Sequence, residues 1–175
     1  GWAAPAINRL ASLGIVSGIA PGRYAPAQGL TRAEYMKMLL AALQIPQASR
    51  PMGPVADVPQ AAWYTGWMYA AWEEGILSPD NAGMLYPSSA ITRSEMAAAT
   101  LNACLVAGKE LAVTDEAVLA GFSDQRIIPA AYRGAFAMMV GNGLISGRSG
   151  SSLAPLSGLT RAEAAVMINR LLLLP

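Results

Sequence analysis

Three arginines stand in matching settings: Arg32 in Thr31-Arg32-Ala33-Glu34, Arg93 in Thr92-Arg93-Ser94-Glu95 and Arg161 in Thr160-Arg161-Ala162-Glu163. Threonine followed three residues later by glutamate, ahead of an apolar run, is a capping box. The threonine hydroxyl accepts from the N–H of the third helical residue, and the glutamate reaches back to the N–H of the cap. Capping accounts for the threonines and the glutamates. It leaves the arginines unexplained, because a cation at the start of a helix opposes the helix dipole. A cation placed there three times calls for an anion. One source is a ligand carboxylate or phosphate, held by the guanidinium fork together with the unpaired N–H groups of a helix start. The other is an internal acid such as Asp57 or Asp124, pairing within the fold.

Other residues recur with the arginines. Gly14, Gly75 and Gly143 each stand twelve positions before a proline, Pro26, Pro87 and Pro155, and each proline stands five before its threonine. The glycines read first as helix C-caps, because glycine accepts positive φ freely. They could also let a ligand approach the backbone closely. Trp2 and Trp63 occupy equivalent places, and Trp67, Tyr69 and Trp72 follow Trp63 on one predicted helix. Aromatics at helical spacing usually build core, but a flat ring with a polar edge also suits a sugar face.

Enzyme chemistry finds little support. There is no histidine, which removes the commonest general base and zinc ligand. The repeated glutamates belong to caps, and Asp57 and Asp124 fall one per copy rather than as a pair in one cleft. There is no Gly-x-Ser-x-Gly motif and no phosphate-binding glycine loop. No cofactor or metal is expected. Cys104, the single cysteine, replaces a leucine on a helical core stripe and reads as a small buried hydrophobe.

The elements that must position these residues follow from the repeat. The spacing between copies is 61 residues, then 68, and a period of this size indicates repeated supersecondary units. Each copy reads as helix, loop, helix. The first helices are predicted over 2–13, 62–74 and 129–142. The second are predicted over 32–43, 93–106 and 161–173, and are apolar on more than one face, as buried helices are. The expected fold is all-α: three helix-loop-helix repeats in a pseudo-three-fold arrangement around a central three-helix bundle. The expected divisions are 1–45, 46–108 and 109–175, within one compact unit. Linkers are expected over 44–56 and 108–122, the second with a short acidic helical stretch around 115–120. A net charge of +1 without basic runs argues against nucleic acid, and no apolar stretch is long enough to span a membrane.

Taken together, these residues resemble S-layer homology (SLH) repeats. The resemblance rests on Val55-Ala56-Asp57 and Phe122-Ser123-Asp124, on Trp2 and Trp63, and on Gly followed by Ile or Leu. It rests also on Tyr24-Ala25-Pro26, Leu85-Tyr86-Pro87 and Leu153-Ala154-Pro155, and on the Thr-Arg-x-Glu copies. It implies a non-covalent anchor that holds a surface protein to the bacterial cell wall, outside the cell and in a Gram-positive host. The implied partner is a secondary cell wall polymer carrying pyruvylated N-acetylmannosamine, bound in grooves between repeats. The cargo surface protein would lie in the same full-length chain. Carried over to this sequence, the ligand residues would be Arg32, Arg93 and Arg161. Gly14, Gly75, Gly143, Asp57, Asp124, Trp2 and Trp63 are further candidates. The copies differ around this frame: Pro79 replaces the glycine found as Gly18 and Gly147, and Ala131 or Tyr132 stands where the third tryptophan is expected. Non-equivalent grooves follow, with one or two expected to bind. The alternatives are a helical scaffold that binds protein, with the arginines in intramolecular pairs, or a glycan-cleaving enzyme.

Overall fold

The structure, a computed structural model, describes residues 1–49, 53, 55–148 and 150–175. Part of the expected first linker, residues 50–52 and 54, therefore lies outside the described residues. Among the described residues six α-helices are joined by irregular loops, with isolated β-bridges but no strand. They are α1 (Ala4–Ser12), α2 (Arg32–Ala42), α3 (Thr65–Glu73), α4 (Arg93–Val106), α5 (Ala130–Gly141) and α6 (Arg161–Leu173). The acidic stretch forms a 3-10 helix at Glu116–Gly121, and a shorter one follows at Gln125–Ile127.

Local chemistry sets the helix ends. Thr31, Thr92 and Thr160 each cap a helix with a complete capping box to Glu34, Glu95 and Glu163. Gly14, Gly75 and Gly143 stop α1, α3 and α5 in left-handed backbone, with φ of 71°, 71° and 69°. Each is followed by a chain reversal that returns a loop N–H to the helix, such as Ile15 N–H to Leu10 O at 2.9 Å.

The packing order is cyclic. Helix α2 packs on α3, α4 packs on α5, and α6 returns to pack on α1. Every second helix thus sits against the first helix of the next copy, and the last closes onto the first. Between these pairs α2 also touches α4 and α6. The Tyr35 hydroxyl and Thr100 Oγ1 lie 2.6 Å apart at one such crossing, both fully buried. Burial and hydrogen bonding by Thr100 act in opposite directions on the Tyr35 phenol, and burial wins, raising its pKa. Cys104 lies buried in the same core, its thiol pushed up to about 11 by burial, the state of an inert structural cysteine.

A ring of backbone hydrogen bonds ties the starts of the three second helices together. Leu30 N–H donates to Leu159 O at 2.9 Å, Leu159 N–H to Ile91 O at 3.0 Å, and Ile91 N–H to Leu30 O at 3.1 Å. The side chains of all three residues are buried. Just outside the ring, the first two N–H groups of each helix are also occupied. Arg32 and Ala33 donate to Ser89 O and Pro87 O, Arg93 and Ser94 to Ser157 O and Pro155 O, and Arg161 and Ala162 to Gln28 O and Pro26 O. The open amides expected at these helix starts are therefore closed by carbonyls of a neighbouring copy, and no backbone anion site remains there.

Candidate functional site

The arginine side chains follow the same cyclic order. Arg93 donates from Nε to Leu153 O (2.7 Å), from Nη2 to Ser146 O (3.1 Å) and from Nη1 to Glu163 Oε1 (3.2 Å). Arg161 donates from Nε to Tyr24 O (2.9 Å) and from Nη2 to Ser17 O (2.7 Å), with its guanidinium 4.5 Å from the centre of the Tyr24 ring. Arg32 donates to Leu85 O (3.3 Å) and pairs with Glu95. Each arginine thus reaches forward to the loop of another copy and fastens it. The repeated cation at the helix start has a structural role that sequence spacing alone did not reveal.

The internal acids first considered for these arginines are engaged elsewhere. Asp57 accepts from the N–H groups of Leu85 (2.8 Å) and Tyr86 (2.6 Å). Asp124 accepts from Leu153 N–H (2.8 Å), Ala154 N–H (2.7 Å) and the Ser152 hydroxyl (2.8 Å). Burial acts to raise the Asp124 pKa, but these hydrogen bonds outweigh it and leave it below the usual value. Both aspartates hold their loop at its turn into proline. Tyr86 and Ala154, like Ala25, there adopt φ near +50°, a strained conformation for a residue with a Cβ.

Two pockets open along this cyclic seam. The first, of ≈ 360 Å³, is walled by the loop Leu144–Arg148, by Glu163, Val166 and Met167 of α6, by Trp2 and by Arg93. The second, of ≈ 230 Å³, is walled by the loop Ile15–Ile19, by Glu34, Lys37 and Met38 of α2, by Trp63 and by Arg161. The two walls correspond position by position. Each pocket takes its loop and cap glutamate from one copy, its tryptophan from the next and its arginine from the one before. Neither of these two pockets is built by a single copy. Trp2 and Trp63 stand exposed in these walls, at 70% and 58% of their surface. A large ring left in water at equivalent places in both pockets is not core material.

The expected site residues therefore separate. Arg93 and Trp2 meet at one pocket, Arg161 and Trp63 at the other. Arg32 stands in the corresponding place at the loop of the middle copy, beside Glu95. There Pro79 takes the position of Gly18 and Gly147, and Ala131 that of the tryptophan. Gly14 and Gly143 stand one residue before the pocket loops, and Gly75 before the equivalent loop; a Cβ at any of the three would meet nothing within 4 Å. Asp57 and Asp124 support loops from behind. Of the glycines lining the two pockets, both have a steric need: a Cβ at Gly18 would fall 2.8 Å from Ala20 O and Arg23 O, and one at Gly147 would fall 3.0 Å from Gly150 O and Ser152 O.

Three pocket residues escaped the sequence reading. Lys37 lies with its Nζ 5.9 Å from the Trp63 ring centre. Its signal was a lone cation where the other copies carry Ala98 and Val166. Arg148 holds Glu163 through two bonds, Nε to Oε1 at 2.6 Å and Nη2 to Oε2 at 2.8 Å. Its signal was a charge where the first copy carries Ile19. The third, Glu163, had been assigned to capping alone. Burial would raise its pKa, yet hydrogen bonds from Arg148 and Thr160 hold it at about 2. Among the described residues no group of three acidic, cysteine or histidine side chains is placed to hold a metal ion, and no helix is long and apolar enough to cross a membrane.

Comparison with known proteins agrees with this repeat structure. The S-layer homology domain family matches at residues 1–36, 56–97 and 121–165. The chain is 34% identical over 173 residues to an exoglucanase, XynX, of Acetivibrio thermocellus, covering 98% of this chain and 15% of that protein. It is 34% identical over 173 residues to an amylopullulanase of Thermoanaerobacterium thermosulfurigenes, covering 98% and 9%. It is 28% identical over 173 residues to the surface-layer 125 kDa protein of Lysinibacillus sphaericus, covering 97% and 14%. The chain thus spans less than a fifth of the length of each of these relatives. What an exoglucanase, an amylopullulanase and a surface-layer protein have in common with it is this segment, and with three family matches along its length the chain belongs to the S-layer homology domain family of cell-wall anchoring modules.

Proposed function

We propose that this module holds a surface protein to the cell wall by binding a carboxylate-bearing wall glycan, of the pyruvylated N-acetylmannosamine type, in its inter-copy pockets. The observation that carries the reading is the paired wall of each pocket: an exposed tryptophan opposite an arginine whose side chain is fixed by loop carbonyls. The indole offers a flat apolar face to a sugar ring. The guanidinium offers a pre-oriented donor to a carboxylate.

The site would work from the exterior of the cell, with the cargo protein in the same polypeptide, as in surface-layer relatives. Binding rather than hydrolysis fits the state of the acids. Glu34, Glu95 and Glu163 are committed to caps, and Asp57 and Asp124 to loop amides. The wall of a Gram-positive bacterium is the expected setting. The intramolecular bonds of the arginines also suit a protein-binding scaffold, in which exposed Trp2 and Trp63 would serve as contact residues.

The test is co-sedimentation of the purified chain with isolated cell walls, before and after chemical removal of the secondary polymer. Binding should vanish with the polymer; binding that survives its removal rejects the proposal. Replacing all three arginines is a poor probe, because they fasten the fold. A Trp2→Ala/Trp63→Ala variant is better: it should lose wall binding while keeping its helical circular dichroism. Release of reducing sugar from the walls would instead favour an enzyme.

A further inference from the structure

The position-by-position correspondence of the two pockets allows a direct comparison of their binding groups. In the Arg93 pocket the cationic groups already hold a carboxylate. Glu163 Oε1 accepts from Arg93 and Arg148, and Oε2 from Arg148 and from the N–H and hydroxyl of Thr160. Arg93 gives its Nε and Nη2 to loop carbonyls and its Nη1 to Glu163. An incoming carboxylate must displace a group of the protein that stands in place. An intramolecular competitor of this kind acts at an effective concentration far above that of a free ligand.

The Arg161 pocket lacks this internal competitor. Ile19 stands where Arg148 stands, and among the described residues Glu34 accepts only from its own cap, Thr31, whose N–H and hydroxyl bond the same oxygen, Oε2. Among the described residues Arg161 has no ion pair and its Nη1 has no hydrogen-bond partner. No buried side-chain nitrogen or oxygen among the described residues lacks a partner, so this Nη1 is accessible to solvent. Lys37, where α6 carries Val166, adds a second cation to the wall and lies near the Trp63 face. Counting charges alone gives the opposite ranking, since the Arg93 pocket is walled by Arg93, Arg148 and Arg170 against Glu163. Availability decides over net charge. Two of those arginines are joined to Glu163, and Arg170 is directed at the carbonyls of Gly143 and Leu144.

We propose that the Arg161 pocket, with Lys37 as a specificity residue, is the one that takes the carboxylated sugar. The Arg93 pocket is kept from carboxylates by its own Glu163, clamped there by Arg148. The inference rests on the reading that these pockets receive a carboxylate-bearing sugar, and the experiment separates the two.

The two tryptophans are the reporters. The full chain is labelled with 5-fluorotryptophan, and the fluorine resonances of Trp2 and Trp63 are assigned from Trp2→Phe and Trp63→Phe. The probe is the pyruvate ketal of methyl N-acetylmannosaminide, with the unpyruvylated sugar as control. The Trp63 resonance is expected to titrate at a probe concentration at least about ten-fold below that for Trp2. Lys37→Met should raise the Trp63 midpoint several-fold and leave that of Trp2 unchanged, while Lys37→Arg retains the wild-type value. Arg148→Ile, which copies Ile19, should bring the Trp2 midpoint toward that of Trp63. If Trp2 responds first or equally, the ranking of the pockets is wrong and the glycan reading stands. If neither responds, or the control sugar acts as strongly, both fall.

Discussion

Replacing Arg93 should damage this fold far more than replacing Arg32, although the two occupy equivalent positions. The Arg93 side chain is only 5% exposed and makes three hydrogen bonds, to Leu153 O, Ser146 O and Glu163. Arg32 is 20% exposed, with one ion pair and one long bond to Leu85 O. Arg93→Met keeps the apolar stem but leaves two loop carbonyls without their donor, while Glu163 keeps Arg148 and Thr160. Bonds to a charged group contribute about 1.5–3 kcal/mol each, but burying the guanidinium opposes them, and burial already pulls the Arg93 pKa down. Two carbonyls left without a donor at about 1–3 kcal/mol each give a net expectation of about 3–5 kcal/mol. Arg32→Met, more exposed and with fewer bonds, should cost about 1–2 kcal/mol. For a chain of this size each kcal/mol moves the Tm by about 2–4 °C. Arg93→Met should therefore melt roughly 10 °C lower than the parent, and Arg32→Met about 3–5 °C lower. Thermal and urea unfolding followed by far-UV circular dichroism measures both. Equal losses in the two variants would refute the argument that burial and bond number set the contribution of each repeated arginine.

Acid stability should depend on Glu163. Its folded pKa of about 2 lies below the ordinary glutamate value of 4.5, so its contribution is full above that value and is lost as the pH falls toward 2. Glu163→Gln should flatten the loss of stability across that window, read as Tm against pH; an unchanged slope counts against the Arg148 clamp. Gly18→Ala should lower stability by about 1–3 kcal/mol, because the new Cβ meets backbone oxygens at 2.8 Å. Gly14→Ala, in open space but at φ 71°, should cost about 1–2 kcal/mol from backbone strain alone. Urea titration measures both, and a shift of the backbone amide resonances around Ala20 and Arg23 in Gly18→Ala only separates the two causes. Thr92→Ala and Thr160→Ala should each cost about 1 kcal/mol through the lost cap, and a loss near zero in either would mean the neighbouring carbonyls suffice to hold the helix start.

The parts of the fold set by short-range chemistry were readable in the chain. The capping boxes at Thr31, Thr92 and Thr160, the glycine stops at 14, 75 and 143, and the burial of Cys104 depend on residues a few positions apart. The partners of the arginines were not readable. Arg161 reaches Ser17 and Tyr24, more than a hundred residues away in sequence, and nothing in local spacing shows that a copy fastens the loop of another rather than its own. The same offset hid the closing of the helix-start amides by Ser89, Ser157 and Gln28. The pocket tryptophans were visible as a repeat, but their assignment to different pockets required the cyclic packing of α1 on α6 and α3 on α2. Lys37 and Arg148 stood out only as departures from the repeat, and departures carry meaning once the wall they belong to is known.

The closure of α6 onto α1 also sets a condition on how the chain folds. Arg9 Nη1 bonds Asn169 Oδ1 at 3.1 Å across 160 positions of sequence, and the hydrogen-bonded ring needs Leu159 before either Leu30 or Ile91 has both partners. During synthesis the first helix emerges with its packing surface unmatched and stays so until the last helix is complete. Long-range contacts of this kind are slow to form, because chain entropy is lost before they contribute. Helix α1 should thus stay undocked while the chain is being made, although α2, α3 and α4 of the first two copies can already pack on one another. The pockets, each of which draws on all three copies, would appear together at the final step.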